Sequence, residues 1–329
     1  MEGVEGLPDR DSPLVRARFV VDGRGGHVRG LDGMATNIKN AIDAGKKVTI
    51  LSTGPETNVA LFISVYPDLL HGIEQFVFMG GGVGLGNVSA VAGKGYLLPF
   101  IHLTLIKDLI EFNILCDPEA AQILLNAPVK KVMVPMNVTH TAIMKEHLHA
   151  ELTSSDTPLR RMISSLITFF ADVYKSKFGF MDGCPLHDPL VVCWVSHPEL
   201  YQSKRYRVDV ELNGSHTSGE TVVDVWNYRQ CDDSWGPSGK NCIVAESLDV
   251  IIPLGVISQM LTHQPRWINF SKFFLTVWQG AKSCPCGQVS LMSKYNKSEL
   301  CMVVLSTCYK YSVRCGARWI NDVCPKKYN

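Results

Sequence analysis

Residues 47–87 read KVTILSTGPETNVALFISVYPDLLHGIEQFVFMGGGVGLGN, and this stretch decides the fold. An apolar strand, Val48 to Ser52, runs into the turn TGPETN; an amphipathic run follows; a second strand, Phe76 to Met79, runs into GGGVGLGN. Strands that end in tight polar turns opening helices build sites, because ligands of open α/β sheets bind beyond the carboxyl ends of strands. Thr53 and Gly54 stand where a helix cap belongs, Pro55 suits a first helical turn, and Glu56 suits the positive end of the helix dipole. Gly80 to Gly82 permit positive φ or close approach of the backbone to a ligand. The stretch reads as the floor of an active site.

Outward from it, Ala35 to Gly45 suits a helix, and the short apolar FVV at Phe19 to Val21 an edge strand. Residues 1–18 read as a loose N-terminus. Downstream, order returns over Glu111 to Ala127, where Asp117 as cap, Pro118 in the first helical position and Glu119 in the first turn mark a strong helix start. Val132 to Met136 is a buried strand, and a long amphipathic helix opens near Thr157 and Pro158. RYRVDVEL, ETVVDVW and NCIVAE read as an antiparallel addition. Continuous apolar strands alternating with helices predict an α/β fold with a mostly parallel central sheet flanked by helices.

Charge and composition narrow the function. The chain has 329 residues with Lys+Arg 32 against Asp+Glu 31, a formal charge of +1, which gives no electrostatic case for nucleic acid or a membrane surface as partner. No basic start precedes an apolar run at the N-terminus, so a cytoplasmic protein is expected. Six of the 11 cysteines crowd the last 80 residues. They lack CxxC knuckles, so a structural zinc is not expected there. GVGLGN matches a dinucleotide loop poorly, since no helix clearly starts there and no acidic residue follows at the required distance.

Several polar residues lie just beyond apolar strands or at helix starts: Thr53, Asn58, Asn87, Glu111, Asn113, His187 and Asp188. Asn58 reads as a residue that ties its own turn. The others combine amides, carboxylates and one imidazole, a set that suits a hard cation and a sugar better than a covalent nucleophile. At His187-Asp188-Pro189 the plainer reading, a helix cap, stays open.

In order, LSTGPETNVAL, FVFMGGGVGLGNVSAVA, EFNILCDPEAAQILL, VPMNVTHT and GCPLHDPLVV resemble the motifs of the nucleoside hydrolase family, the inosine-uridine preferring N-ribohydrolases. RYRVDVELNG, SGETVVDVW and IVAESLDV are similar to the strands that follow in that family, so the resemblance spans about Gly25 to Val250. It implies calcium-dependent hydrolysis of the N-glycosidic bond of uridine- or inosine-type ribonucleosides to free base and ribose, a reaction of nucleoside salvage. The implied partners are a small-molecule ribonucleoside and a second copy of the chain, as homodimer or homotetramer. Thr53, by its backbone carbonyl, and Asp188 would hold Ca2+. Met79, Asn87, Glu111 and Asn113 would line the ribose pocket. His187 would be the acid for the departing base, with Asp188 beside it in the catalytic pair, and His27 would stand on a base-side loop. The chemistry is an oxocarbenium-like departure stabilised by carboxylates.

Three departures qualify the resemblance. The family's opening motif, DTDPGxDD, is missing, which implies an incomplete calcium site, a sheet incomplete at the N-terminus with an exposed edge beside Val48 to Ser52, and little or no turnover. The alternative to an enzyme is therefore an impaired homologue that binds nucleoside or ribose. Residues 93–110 interrupt the 19–250 domain, splitting Asn87 from Glu111 and Asn113 with no turn chemistry to bring the ends together. They read as translated non-coding sequence or a lid loop. Residues 251–329 form an unrelated Cys-rich tail with two acidic residues, Glu299 and Asp322, against ten Lys and Arg, and no regular element is expected in it after about Met260.

Overall fold

The protein is represented by a computed structural model that describes residues 19–20, 27–28, 30–87, 110–154, 158–249, 288–292 and 301–306. The segment 1–18 and most of the interruption at 93–110 lie outside the described residues.

The central sheet has seven strands. In spatial order they are β12 (Gln288–Met292), β13 (Cys301–Ser306), β3 (Val48–Ser52), β4 (Ile73–Met79), β5 (Lys131–Val134), β11 (Cys242–Leu248) and β8 (Tyr201–Tyr206). From β13 to β11 every neighbour is parallel, and only the two outer pairs are antiparallel. Small antiparallel pairs stand apart: β1 (Phe19–Val20) with β2 (His27–Val28), β6 (Ile143–Met144) with β7 (Cys184–Pro185), and β9 (Val208–Val210) with β10 (Thr221–Val223).

The strands are apolar throughout because successive side chains point to opposite faces and both faces are covered. Ile50, Phe76, Phe78, Met133 and Val244 enter one core with Met34, Ile38, Phe62 and Leu124. Their sequence neighbours Leu51, Val77, Met79, Val132, Val134 and Ala245 enter the other with Val138, Ile163, Leu190 and Trp194. The first core is roofed by α1 (Gly30–Asp43), α2 (Thr57–Val65) and α4 (Pro118–Asn126). The second is roofed by α5 (Met136–Thr139), α6 (Glu146–Thr153), α7 (Pro158–Phe178) and α8 (Asp188–Ser196). Fully burying each large apolar side chain contributes about 1.5–3 kcal/mol.

Several boundaries differ from the sequence reading. The helix expected from Ala35 begins at Gly30, because Leu31 and Met34 already pack on the core. The helix after Pro55 is capped at Glu56, not at Thr53 or Gly54, and its cap makes no side-chain hydrogen bond. The helix start expected at Asp117 and Pro118 is where α4 begins, with the Asp117 carboxylate accepting from the Ala120 N–H at 3.1 Å, and a short helix, α3 (Phe112–Cys116), precedes it. NCIVAE is not only an antiparallel addition: β11 also pairs parallel with β5.

The tail brings the larger correction. Where no element was expected after Met260, β12 and β13 form an antiparallel pair, and β13 runs parallel to β3 from Cys301 opposite Val48 to Leu305 opposite Ser52. The edge of β3 is therefore covered rather than exposed.

At the opposite side of the sheet, cations anchor the loop 231–240. Lys131 is fully buried on β5, and its ammonium donates to the carbonyls of Leu125 (3.1 Å), Ala127 and Trp235. Arg205 donates to the carbonyls of Lys240, Asp233 and Ser234 and lies 3.7 Å over the Trp235 ring. Arg207 pairs with Asp209 and donates to the Pro237 carbonyl at 2.6 Å. Burial pushes the Lys131 amine down to about 7, while three carbonyl acceptors use all three hydrogens of the ammonium form. Lys131→Met strips those carbonyls of their donor and is expected to cost about 3 kcal/mol. Urea denaturation measures the loss, and hydrogen exchange should show it in 231–240 first.

Candidate functional site

The carboxyl ends of β3 and β4 carry the polar residues that the sequence singled out, and a buried carboxylate ties them together. Glu111 is 3 % exposed and precedes α3. Its carboxylate accepts from the N–H groups of Gly81 (3.1 Å), Asn113 (3.0 Å) and Ile114 (3.2 Å). Burial pushes its pKa up to about 7 against those donors. Asn113 donates to the Met79 carbonyl at 3.0 Å and stands 3.4 Å from its sulfur. Met79, Glu111 and Asn113 are thus one cluster.

Asn87 joins it. The expectation that residues 93–110 hold Asn87 away from Glu111 fails, because the Asn87 N–H donates to the Ile110 carbonyl at 3.0 Å, one residue before Glu111. Loop closure costs little more for a long insertion than for a short one, so a single bond at its base can hold the ends together. The buried Asn87 Oδ1 has no hydrogen-bond partner among the described residues.

The glycine turn between Met79 and Asn87 is fully tied. Gly81 has φ +73, and a Cβ there would meet Met133 Sδ and Thr221 Cγ2 at 2.9 Å. At Gly82 a Cβ would fall 2.0 Å from the Leu85 carbonyl oxygen. Thr221 Oγ1 accepts from the Gly82 N–H at 2.9 Å and donates to its carbonyl at 2.6 Å. Asn137 accepts from the Val83 N–H at 2.8 Å and donates to its carbonyl at 3.1 Å. Neither Thr221 nor Asn137 was singled out from the sequence, since each is contributed across a long separation.

His187 and Asp188 arrive on the N-terminus of α8. Asp188 is half-buried, and burial together with the charge of Glu111 pushes its pKa up to about 7. The His187 ring is engaged at both nitrogens, Nδ1 with Thr139 Oγ1 and Nε2 with the Tyr174 hydroxyl, each at 2.7 Å. Because the Thr139 hydroxyl also reaches the Met136 carbonyl at 3.4 Å, the consistent tautomer carries its hydrogen on Nδ1 and accepts from Tyr174 at Nε2. Burial, aided by His140, pushes His187 down to about 3, and the imidazole is neutral. The His140 ring lies 5.5 Å from that of His187, and its buried Nε2 has no hydrogen-bond partner among the described residues. Tyr174 gave no sequence signal inside an amphipathic helix.

Thr53 is buried in the turn after β3. Its carbonyl and the Asp188 carboxylate are the two donors that the resemblance assigns to calcium, which takes six to eight oxygens. Among the described residues no group of three or more His, Cys, Asp or Glu side chains is placed to hold a metal. His27 lies in the separate β1–β2 pair, opposite Val20. Among the described residues no helix is long and apolar enough to cross a membrane.

The family model of the inosine-uridine preferring nucleoside hydrolases matches residues 3–251. The chain belongs to this family. It is 36% identical over 234 residues to the pyrimidine-specific ribonucleoside hydrolase RihA of Escherichia coli K12, covering 65% of this chain and 68% of the relative. The RihA of Salmonella paratyphi A is 34% identical over 230 residues. Among solved structures, a plant nucleoside hydrolase superposes with a TM-score of 0.60 at 22% identity, covering 74% of this chain and 69% of that one. A purine-preferring ribonucleoside hydrolase from Gardnerella vaginalis superposes with a TM-score of 0.58 at 24% identity, covering 72% and 66%. These superpositions establish a common fold.

Replacing Glu111 with Ala leaves three buried N–H groups without their acceptor and is expected to cost about 3 kcal/mol. Chemical denaturation measures it. Loss of exchange protection at the Gly81 amide should accompany the change.

Proposed function

We propose that this nucleoside hydrolase family member cleaves the N-glycosidic bond of a pyrimidine ribonucleoside, with uridine the first substrate to test and inosine the second. The observation that carries the reading is the joining of Met79, Asn87, Glu111 and Asn113 at the ends of β3 and β4, sealed by the bond from Asn87 to Ile110. The names of the RihA relatives support the choice of pyrimidine.

Amides and a carboxylate with backbone support suit ribose hydroxyls, and the unpartnered Asn87 Oδ1 can accept from one. Departure of the base leaves positive charge on the sugar ring, which the carboxylates of Glu111 and Asp188 stabilise. On the base side, the Tyr174 hydroxyl is the polar group that meets the leaving base, and the neutral His187 imidazole, bonded to Thr139, holds it in place. Thr53, by its backbone carbonyl, and Asp188 are the residues that would hold a bound calcium, which would acidify the attacking water.

Uridine incubated with the purified protein should release uracil and ribose, measured by chromatography. Asn113→Ala should lower kcat/KM about 100-fold, and Tyr174→Phe should lower kcat about 10- to 100-fold with KM little changed. No base release at high enzyme concentration would overturn the reading. A second reading is binding of the nucleoside without turnover. It gives a melting temperature that rises with uridine or ribose while no base appears.

A further inference from the structure

Glu56 is the most anomalous side chain near the site. It is 0 % exposed, and neither of its carboxyl oxygens has a hydrogen-bond partner among the described residues. Three groups face it. Ser52, at the end of β3, is close enough to favour the ionised form, yet its hydroxyl is directed to the Gly54 carbonyl at 3.3 Å. Glu111, before α3, and Asp117, between α3 and α4, act on it as negative charges. The next residue, Thr57, donates to the Asp117 carboxylate, which fixes the first turn of α2 against this acidic corner.

Buried carboxyls that share one region cannot all ionise, and the proton settles on the one whose charge is least supported. Glu111 has three N–H donors, and Asp117 has the Ala120 N–H and the Thr57 hydroxyl. Glu56 has no backbone N–H of this kind among the described residues, only the nearby Ser52 hydroxyl, which is directed to the Gly54 carbonyl.

We propose that Glu56 is a positioning residue for Glu111: a buried carboxyl that stays protonated at neutral pH and, by remaining uncharged, leaves Glu111 free to ionise. When Glu56 ionises in alkaline solution, the ribose-side carboxylate gains a like-charged neighbour and the corner loosens. The direction of titration agrees, burial pushing Glu56 up to about 8, above Glu111 at about 7.

The linkage has a definite sign. An unfolded chain loses the Glu56 proton near 4.5 and the folded chain near 8, so the native state loses stability as pH rises through that window and no further above it. Glu56→Gln copies the protonated form and does not titrate. Its melting temperature should match the wild type near pH 5 and exceed it by a margin that grows up to pH 8–9. The infrared carbonyl band of a protonated carboxylic acid at pH 7 should weaken in Glu56→Gln. An equal margin at every pH, or an unchanged band, overturns the proposal. So does failure of both Glu56→Gln and Glu56→Leu to fold at pH 5, where a neutral side chain should be accepted.

The catalytic consequence rests on the hydrolase reading. With uridine, the alkaline fall of kcat/KM should move up by about one pH unit in Glu56→Gln, carried by KM rather than kcat. If neither protein releases base, the hydrolase reading fails while the melting and infrared results still decide the protonation of Glu56.

Discussion

The site depends on one buried carboxylate. Burying an ion in a protein interior is costly unless hydrogen bonds replace its water, and Glu111 obtains them from backbone N–H groups on both sides of the site: Gly81 on the glycine turn, Asn113 and Ile114 in α3. The same contact therefore caps a helix, positions a loop and places an acid beside Asp188. Around it the parallel strands supply rigidity, since β3, β4 and β5 are packed on both faces.

Much of this was legible in the sequence, for local reasons. Asp117-Pro118-Glu119 announces a helix start by residue chemistry alone, and α4 begins there. Apolar runs such as VTILS and FVFM announce doubly covered strands, and both sit inside the sheet. Strength of local signal explains the errors as well. Thr53 and Gly54 have cap chemistry, but the chain continues to Glu56 before α2 forms, because the extra residues carry it from the end of β3 to the corner where Thr57 meets Asp117.

The parts of the site that escaped reading are the long-range ones. Thr221 reaches Gly82 across 139 positions, Asn137 reaches Val83 across 54, and Thr139 reaches His187 across 48. Tyr174 looks like any residue of an amphipathic helix until His187 is placed against it. The strand at Cys301–Ser306 was missed because CMVVLS has no flanking turn chemistry or period to set it apart; only a partner strand far back in the chain gives it a role.

That partner strand has a consequence for synthesis. The edge of β3 is complete at residue 52, yet β13, which covers it, begins at residue 301. At the ribosome's pace of about 5–20 residues per second, roughly 12–50 s pass between the two. For that interval the nascent chain carries an uncovered parallel edge on β3, a surface on which a holding chaperone could act before the last strand emerges.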